Sequence, residues 1–66
     1  MKVRLDYSAH ISVVVNVPGD SLLDVEDLAV EIAENYLHGA DVRADWELDD
    51  DGIEEEDESC EAVNDY

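Results

Sequence analysis

The beginning of the chain alternates between apolar and polar side chains. Every odd position in residues 3–17 is apolar, and the even positions between them are polar except for Val14. A period of two residues is typical of a β-strand with one face against a core. The stretch is longer than an ordinary strand and is weakest at residues 8–10, so we expect one curved strand or two short ones. Pro18 and Gly19 then end the extended segment.

A helix is predicted next. Asp20 or Ser21 is a suitable N-cap residue, and Gly39 is a candidate for the left-handed position after the last turn. Between them the apolar residues recur with a period of 3.6. They are Leu22, Val25, Leu28, Ala29, Ile32, Ala33, Tyr36 and Leu37.

A second alternating stretch, Asp41 to Asp49, predicts another long strand. Its apolar face carries Val42, Ala44, Trp46 and Leu48. Residues 49–52 have the composition of a turn, and the chain from Ile53 returns as a possible short edge strand, although adjacent carboxylates oppose its formation.

Together these elements predict an α+β fold. We expect a small antiparallel sheet of two to four strands with one helix packed on one face. Residues 1–48 would form this β-α-β core, and residues 49–66 would supply the acidic turn, the possible edge strand and a tail. Trp46, Tyr7 and Tyr36 fall on core-facing positions of their elements.

The net charge of the chain limits the classes of molecule that it can bind. Its 66 residues include 20 Asp and Glu against 3 Lys and Arg, which gives a net charge of -17. Such a chain repels nucleic acid and anionic membranes and attracts basic protein surfaces. It has neither a long apolar run nor the apolar core of a signal peptide, so we expect a cytoplasmic protein, in a host cell.

Part of this charge lies along the predicted helix. Asp20, Asp24, Asp27, Glu31 and Glu34 follow one another at spacings of three and four residues, and we call them the acidic stripe. Like charges at these spacings destabilise a helix, and the predicted helix contains no Lys or Arg to offset them. The arrangement therefore favours a function that requires a row of carboxylates.

A row of carboxylates can imitate the phosphates of DNA. Neighbouring positions of the stripe stand about 5–6 Å apart, which is comparable with the rise of one to two nucleotides. Further acidic positions would continue this surface: Asp41, Asp45, Glu47, Asp49, Asp50, Asp51, Glu54, Glu55 and Glu56. The alternative is a surface that merely favours solubility, as in halophilic or highly expressed proteins.

One segment resembles the calcium loop of EF-hand proteins. Glu47, Asp49, Asp51, Gly52 and Glu58 occupy the first, third, fifth, sixth and twelfth positions of that loop. A weak calcium-binding module is therefore an alternative, although the preceding residues alternate like a strand where an EF-hand has a helix.

Catalytic chemistry is not indicated. His10 and His38 each stand alone in the sequence, and Cys60 lies in an acidic tail without a neighbouring cation to activate it. No nucleophile–base spacing or phosphate-binding glycine loop is present, so we expect neither an enzyme nor a bound cofactor.

The size, element order, acidic stripe and the run DDDGIEEEDE resemble those of small acidic DNA-mimic proteins of phages, in particular the anti-CRISPR inhibitors of type I or, more narrowly, type I-C effector complexes. The resemblance implies a monomer or homodimer that blocks the basic DNA-binding surface of a CRISPR effector subunit. An alternative from another class is a small structural or regulatory module that dimerises through an exposed sheet edge.

Overall fold

In a computed structural model, which describes residues 1–40 and 45–64, two strands form a hairpin at the N-terminus. They are β1 (Lys2–Tyr7) and β2 (Ile11–Asn16), paired antiparallel with Val3 opposite Val15. The reversal occupies residues 8–10, where the alternating pattern is weakest, and His10 adopts a positive φ of 59°. Of the two readings that the sequence allows, two short strands are the correct one.

Helix α1 (Leu22–Gly39) follows as predicted, with Ser21 at its N-cap position. The last turn differs from the prediction, because Gly39 remains helical and Ala40 is the C-cap residue with a φ of -82°. Gly39 is therefore not in the left-handed conformation. The Ala40 N–H donates to the Tyr36 carbonyl, so the helix ends on its own backbone.

Strand β3 (Leu48–Glu56) completes a three-stranded antiparallel sheet of order β2-β1-β3. The prediction of a strand over 41–49 was wrong for residues 45–47, which form no regular structure; residues 41–44 lie outside the described chain. In this segment the Trp46 ring packs edge-to-face on Tyr7 with 5.3 Å between centroids, and pairing with β1 begins only at Leu48. Residues 49–52, predicted as a turn, are instead part of this strand, and the short edge strand predicted from Ile53 is confirmed as its second half.

The core lies between α1 and one face of the sheet. Alternate strand residues and a helix seam at intervals of four residues are buried: Val3, Leu5, Tyr7, Val13, Val15, Val17, Val25, Ala29, Ala33 and Leu37. The two alanines allow the helix backbone to approach the sheet closely. Tyr36, expected in the core, is 45% exposed because it lies beside this seam, and Trp46 only borders the core.

The other face of the sheet, which we call the open face, carries the side chains between the core positions. Lys2, Arg4 and Asp6 occupy it in the central strand. The register places Glu56 opposite Lys2 and Glu54 opposite Arg4. The only strongly acidic strand therefore lies beside the only strand that contains basic residues within the described ranges.

Candidate functional site

Four residues of the acidic stripe lie on helix α1, and the fifth, Asp20, lies just before the N-cap residue Ser21. Asp24, Asp27 and Glu31 are exposed on the helix, and Asp20 is exposed just before Ser21. Glu34, at the other end of the stripe, is only half-exposed. Since the helix buries its Val25–Leu37 seam against the sheet, the stripe faces solvent along most of its length.

These helical carboxylates have no ion-pair partner among the described residues. Every salt bridge within residues 1–40 and 45–64 involves Arg4, which lies on the opposite face of the sheet. The helix also contains Glu26 and no Lys or Arg. No described cation relieves the repulsion along the stripe, which solvent and dissolved cations screen.

Glu34 has a different environment from the rest of the stripe. Burial raises the pKa of the Tyr7 hydroxyl to about 12, and the negative charge of Glu34 adds to this shift. The Tyr7 hydroxyl is buried and has no hydrogen-bond partner among residues 1–40 and 45–64. The Trp46 ring, which packs on Tyr7, also lies 5.3 Å from the ring of His38, measured between centroids. His38 is in the last helical turn, as predicted. This end of the stripe is a packed aromatic corner.

Two of the predicted site residues in β3 share an ion pair with Arg4. Arg4 pairs with Glu54, and its Nη1 lies 2.8 Å from Glu56 Oε1. Asp6 also lies beside Arg4, with Nε 3.5 Å from Oδ1, and accepts a hydrogen bond from Ser12. These carboxylates hold the sheet together and are poor candidates for attracting a distant cation.

The remaining acids of β3 are exposed and unpaired by Lys or Arg in the described chain. Asp49, Asp50 and Asp51, which we call the aspartate triplet, lie where the β1–β3 register shifts between Leu5 and Tyr7. Glu55 is opposite Val3 and so points to the helix side of the sheet, whereas Glu54 and Glu56 point to the open face. The structure thus divides these acids between faces.

The connection before β3 carries two further site residues. Asp45 and Glu47 are exposed, and Asp41 lies outside the described residues. Glu47 is fixed to the hairpin turn, because its carbonyl accepts from the Ser8 N–H at 2.9 Å and its N–H donates to Ser8 Oγ at 3.1 Å. This exchange places Leu48 opposite Tyr7 at the start of β3.

The segment that resembles a calcium loop does not fold as one. Most of it is strand β3, which pairs with β1 and whose register shifts between Leu48 and Ile53. Within the described ranges, no group of three or more acidic, His or Cys side chains is arranged to hold a metal ion. Those residues also enclose no pocket.

Cys60 has little thiolate character. Burial is the largest cause of a raised pKa for this thiol. Its hydrogen bond to Glu56, with 3.5 Å from Sγ to Oε2, raises the pKa further. Asp57, by contrast, has its pKa lowered by the Ser59 N–H, which donates to Oδ1 at 2.9 Å. Neither group is placed for catalysis.

The sequence reasoning missed the contacts made by residues 57–64, which we call the C-terminal segment. Lys2 Nζ donates to the Cys60 carbonyl, and Asn64 bonds the backbone of Asn16. These residues show no periodicity that would predict the contacts. The one available signal was that β2 has no charged side chain, which leaves its edge without the usual protection against pairing.

Comparisons with known proteins found no match to this chain. No protein-family profile matches the chain, and no curated protein or solved structure was found to match it. None of the described helical residues forms a helix that is long and apolar enough to cross a membrane.

Proposed function

We propose that this protein is a non-enzymatic DNA mimic that binds the basic nucleic-acid-binding surface of another protein. The observation that supports it is the row of exposed helical carboxylates, Asp24, Asp27 and Glu31, without a Lys or Arg partner in the described chain. The contrast with Glu54 and Glu56 matters, because those two carboxylates are ion-paired with Arg4, whereas the helical carboxylates have no such partner in the described residues.

The helix gives this row a fixed spacing. Positions three and four residues apart rise about 4.5–6 Å along the axis, within the range spanned by one to two nucleotides of a DNA strand. A rigid helix therefore presents negative charges at intervals that a groove lined with Lys and Arg already accommodates. Long-range attraction would guide the encounter and would weaken with rising salt.

The resemblance to small acidic phage proteins directs the proposal to one class of target. We infer that the partner is the DNA-binding subunit of a CRISPR effector complex, of type I or more narrowly type I-C, in the cytoplasm of the host cell. Occupying the surface that contacts target DNA would prevent the complex from binding it.

The test is a competition between the protein and target DNA for a purified type I-C effector complex, followed by gel mobility shift. The parent protein should displace the DNA. The variant Asp24→Lys/Asp27→Lys/Glu31→Lys should lose this ability while its circular dichroism remains that of the parent.

The aspartate triplet offers a matched control. Asp49→Lys/Asp50→Lys/Asp51→Lys changes the net charge by the same amount at another place, and it should retain most of the inhibition. Equal loss in both variants would indicate attraction by overall charge, and full inhibition by a folded helix variant would reject the stripe as the binding surface.

A further inference from the structure

The C-terminal segment leads from the end of β3 across the open face to the far edge of the sheet. Lys2 Nζ, on the central strand, donates to the Cys60 carbonyl midway. The Val63 N–H then donates to the Val14 carbonyl at 2.8 Å. Because Val14 belongs to β2, which is an outer strand of the sheet, this bond lies on the edge that faces away from β1.

Asn64 completes the contact in the manner of a paired strand. The Asn16 N–H donates to Asn64 Oδ1 at 2.8 Å, and Asn64 Nδ2 donates to the Asn16 carbonyl at 2.9 Å. In an antiparallel ladder, one residue exchanges both of these bonds with the residue opposite. One side-chain amide thus replaces the partner strand at this position.

The edge that is covered in this way is the one most suited to pairing with another chain. Residues 7–19 contain no Asp, Glu, Lys or Arg, and β2 is rich in β-branched residues. Proteins commonly protect an edge strand with charged side chains, and an uncharged strand of high β-propensity pairs readily. The other outer strand, β3, carries that protection, whereas β2 has the C-terminal segment instead.

We propose that the C-terminal segment guards the outer edge of β2, and that this edge is a self-association surface to which a second copy of this chain adds its own β2 when the guard is released. Strand β2 carries no charged side chain at the edge where a second copy would pair. Contact through α1 or β3 would bring acid against acid, whereas pairing of two β2 strands keeps the β3 strands at opposite ends of the joined sheet.

The test uses the variant Val63→Pro/Asn64→Ala, which removes the guard's donors and acceptor. Sedimentation and light scattering over a concentration series should show the mass rising from 7.4 kDa towards twice that value, while the parent stays monomeric. Rising salt should increase the dimer fraction, because it screens repulsion between two polyanions. Binding to a basic partner would respond to salt in the opposite direction, so this proposal and the proposed function can fail separately.

A second substitution locates the interface. Adding Ser12→Pro to the released variant removes an edge N–H, and adding Val14→Glu instead places like charges on the pairing edge; each should restore the monomer. Amide exchange provides a further readout, since the Asn16 N–H should lose protection in the released monomer and regain it in the dimer. The proposal would be overturned if the released variant stayed monomeric at high salt, or if the parent dimerised to the same extent. It would also be overturned if the dimer persisted both in the variant with Ser12→Pro and in the variant with Val14→Glu.

Discussion

Arg4 and Glu56 form an ion pair across strands β1 and β3, with 2.8 Å between Nη1 and Oε1. Glu54 shares the same guanidinium, so one side chain binds two carboxylates from the neighbouring strand. Arg suits this role because its planar group presents several donors at once. This network explains how a segment as acidic as Leu48–Glu56 is accommodated in a sheet.

Replacing Arg4 should loosen β3. Because these ion pairs are partly exposed, we expect Arg4→Met to lower the free energy of unfolding by about 1 kcal/mol, from lost pairing and from repulsion between the released carboxylates. Urea unfolding followed by Trp46 fluorescence would measure it. Arg4→Lys is the control and should recover part of the loss, whereas an unchanged midpoint for Arg4→Met would show that the network contributes nothing.

Gly52 is predicted to be intolerant of any side chain. A Cβ at this position would stand 2.5 Å from the Asp6 carbonyl oxygen and 3.0 Å from that of Asp49, and backbone atoms cannot easily yield. Gly52→Ala should therefore destabilise the fold by about 1–3 kcal/mol.

Gly39 supplies the matched control for that substitution. It is helical, and no described residue lies within 4 Å of an added Cβ, so Gly39→Ala should stabilise the protein by about 0.5–1 kcal/mol. Thermal unfolding of both variants would show opposite shifts. Equal shifts would contradict the close approach at Gly52.

Tyr7 should make the fold sensitive to alkali. Its pKa rises from 10.0 to about 12 on folding, so the unfolded chain loses this proton first. The stability that depends on the protonated hydroxyl is complete below pH 10 and is lost as the pH rises through about 12. Tyr7→Phe should flatten this loss in a series of urea unfolding curves between these two pH values.

The same variant should also be more stable at neutral pH, by about 1 kcal/mol, since it removes a buried hydroxyl that has no partner. A Tyr7→Phe protein that is clearly less stable than the parent at pH 7 would mean that the hydroxyl is bonded in solution.

Added salt should stabilise the protein. The stripe lacks cationic partners in the described chain, and screening shortens the range of its repulsion to about 10 Å at 0.1 M ionic strength. We expect the thermal midpoint to rise by several degrees, about 4–8 °C for each kcal/mol gained. In Asp24→Asn/Asp27→Asn/Glu31→Gln the increase should be smaller, and a parent midpoint that falls with salt would contradict this account.

Periodicity was sufficient to predict the helix and the apolar faces that pack together, but it left open whether residues 2–17 form one curved strand or the two strands of the hairpin. The odd residues of 3–17 and the helix seam both bury apolar side chains, and each such pattern reports on its own element. The position of β3 was not predictable in this way. Its run of acidic residues favours a turn in the sequence. In the fold Arg4, about fifty residues away in the chain, lies beside these residues and pairs with them.

The acidic stripe could be predicted because helical spacing alone aligns its members. The half-burial of Glu34 and the effect of its charge on the pKa of Tyr7 could not, since they depend on how the helix packs against another element. The contact of Asn64 with Asn16 likewise joins residues 48 positions apart without any local pattern in the sequence.

The central position of β1 also governs the order of assembly. Its two partners are the strand that follows it at once and the strand that comes last, so the hairpin and helix can form early while one side of β1 waits for β3. During synthesis on the ribosome, the sheet closes only after Glu56 has emerged. Until then a growing chain exposes the β1 edge beside Lys2 and Arg4, and an arriving strand of carboxylates is drawn to that edge by charge.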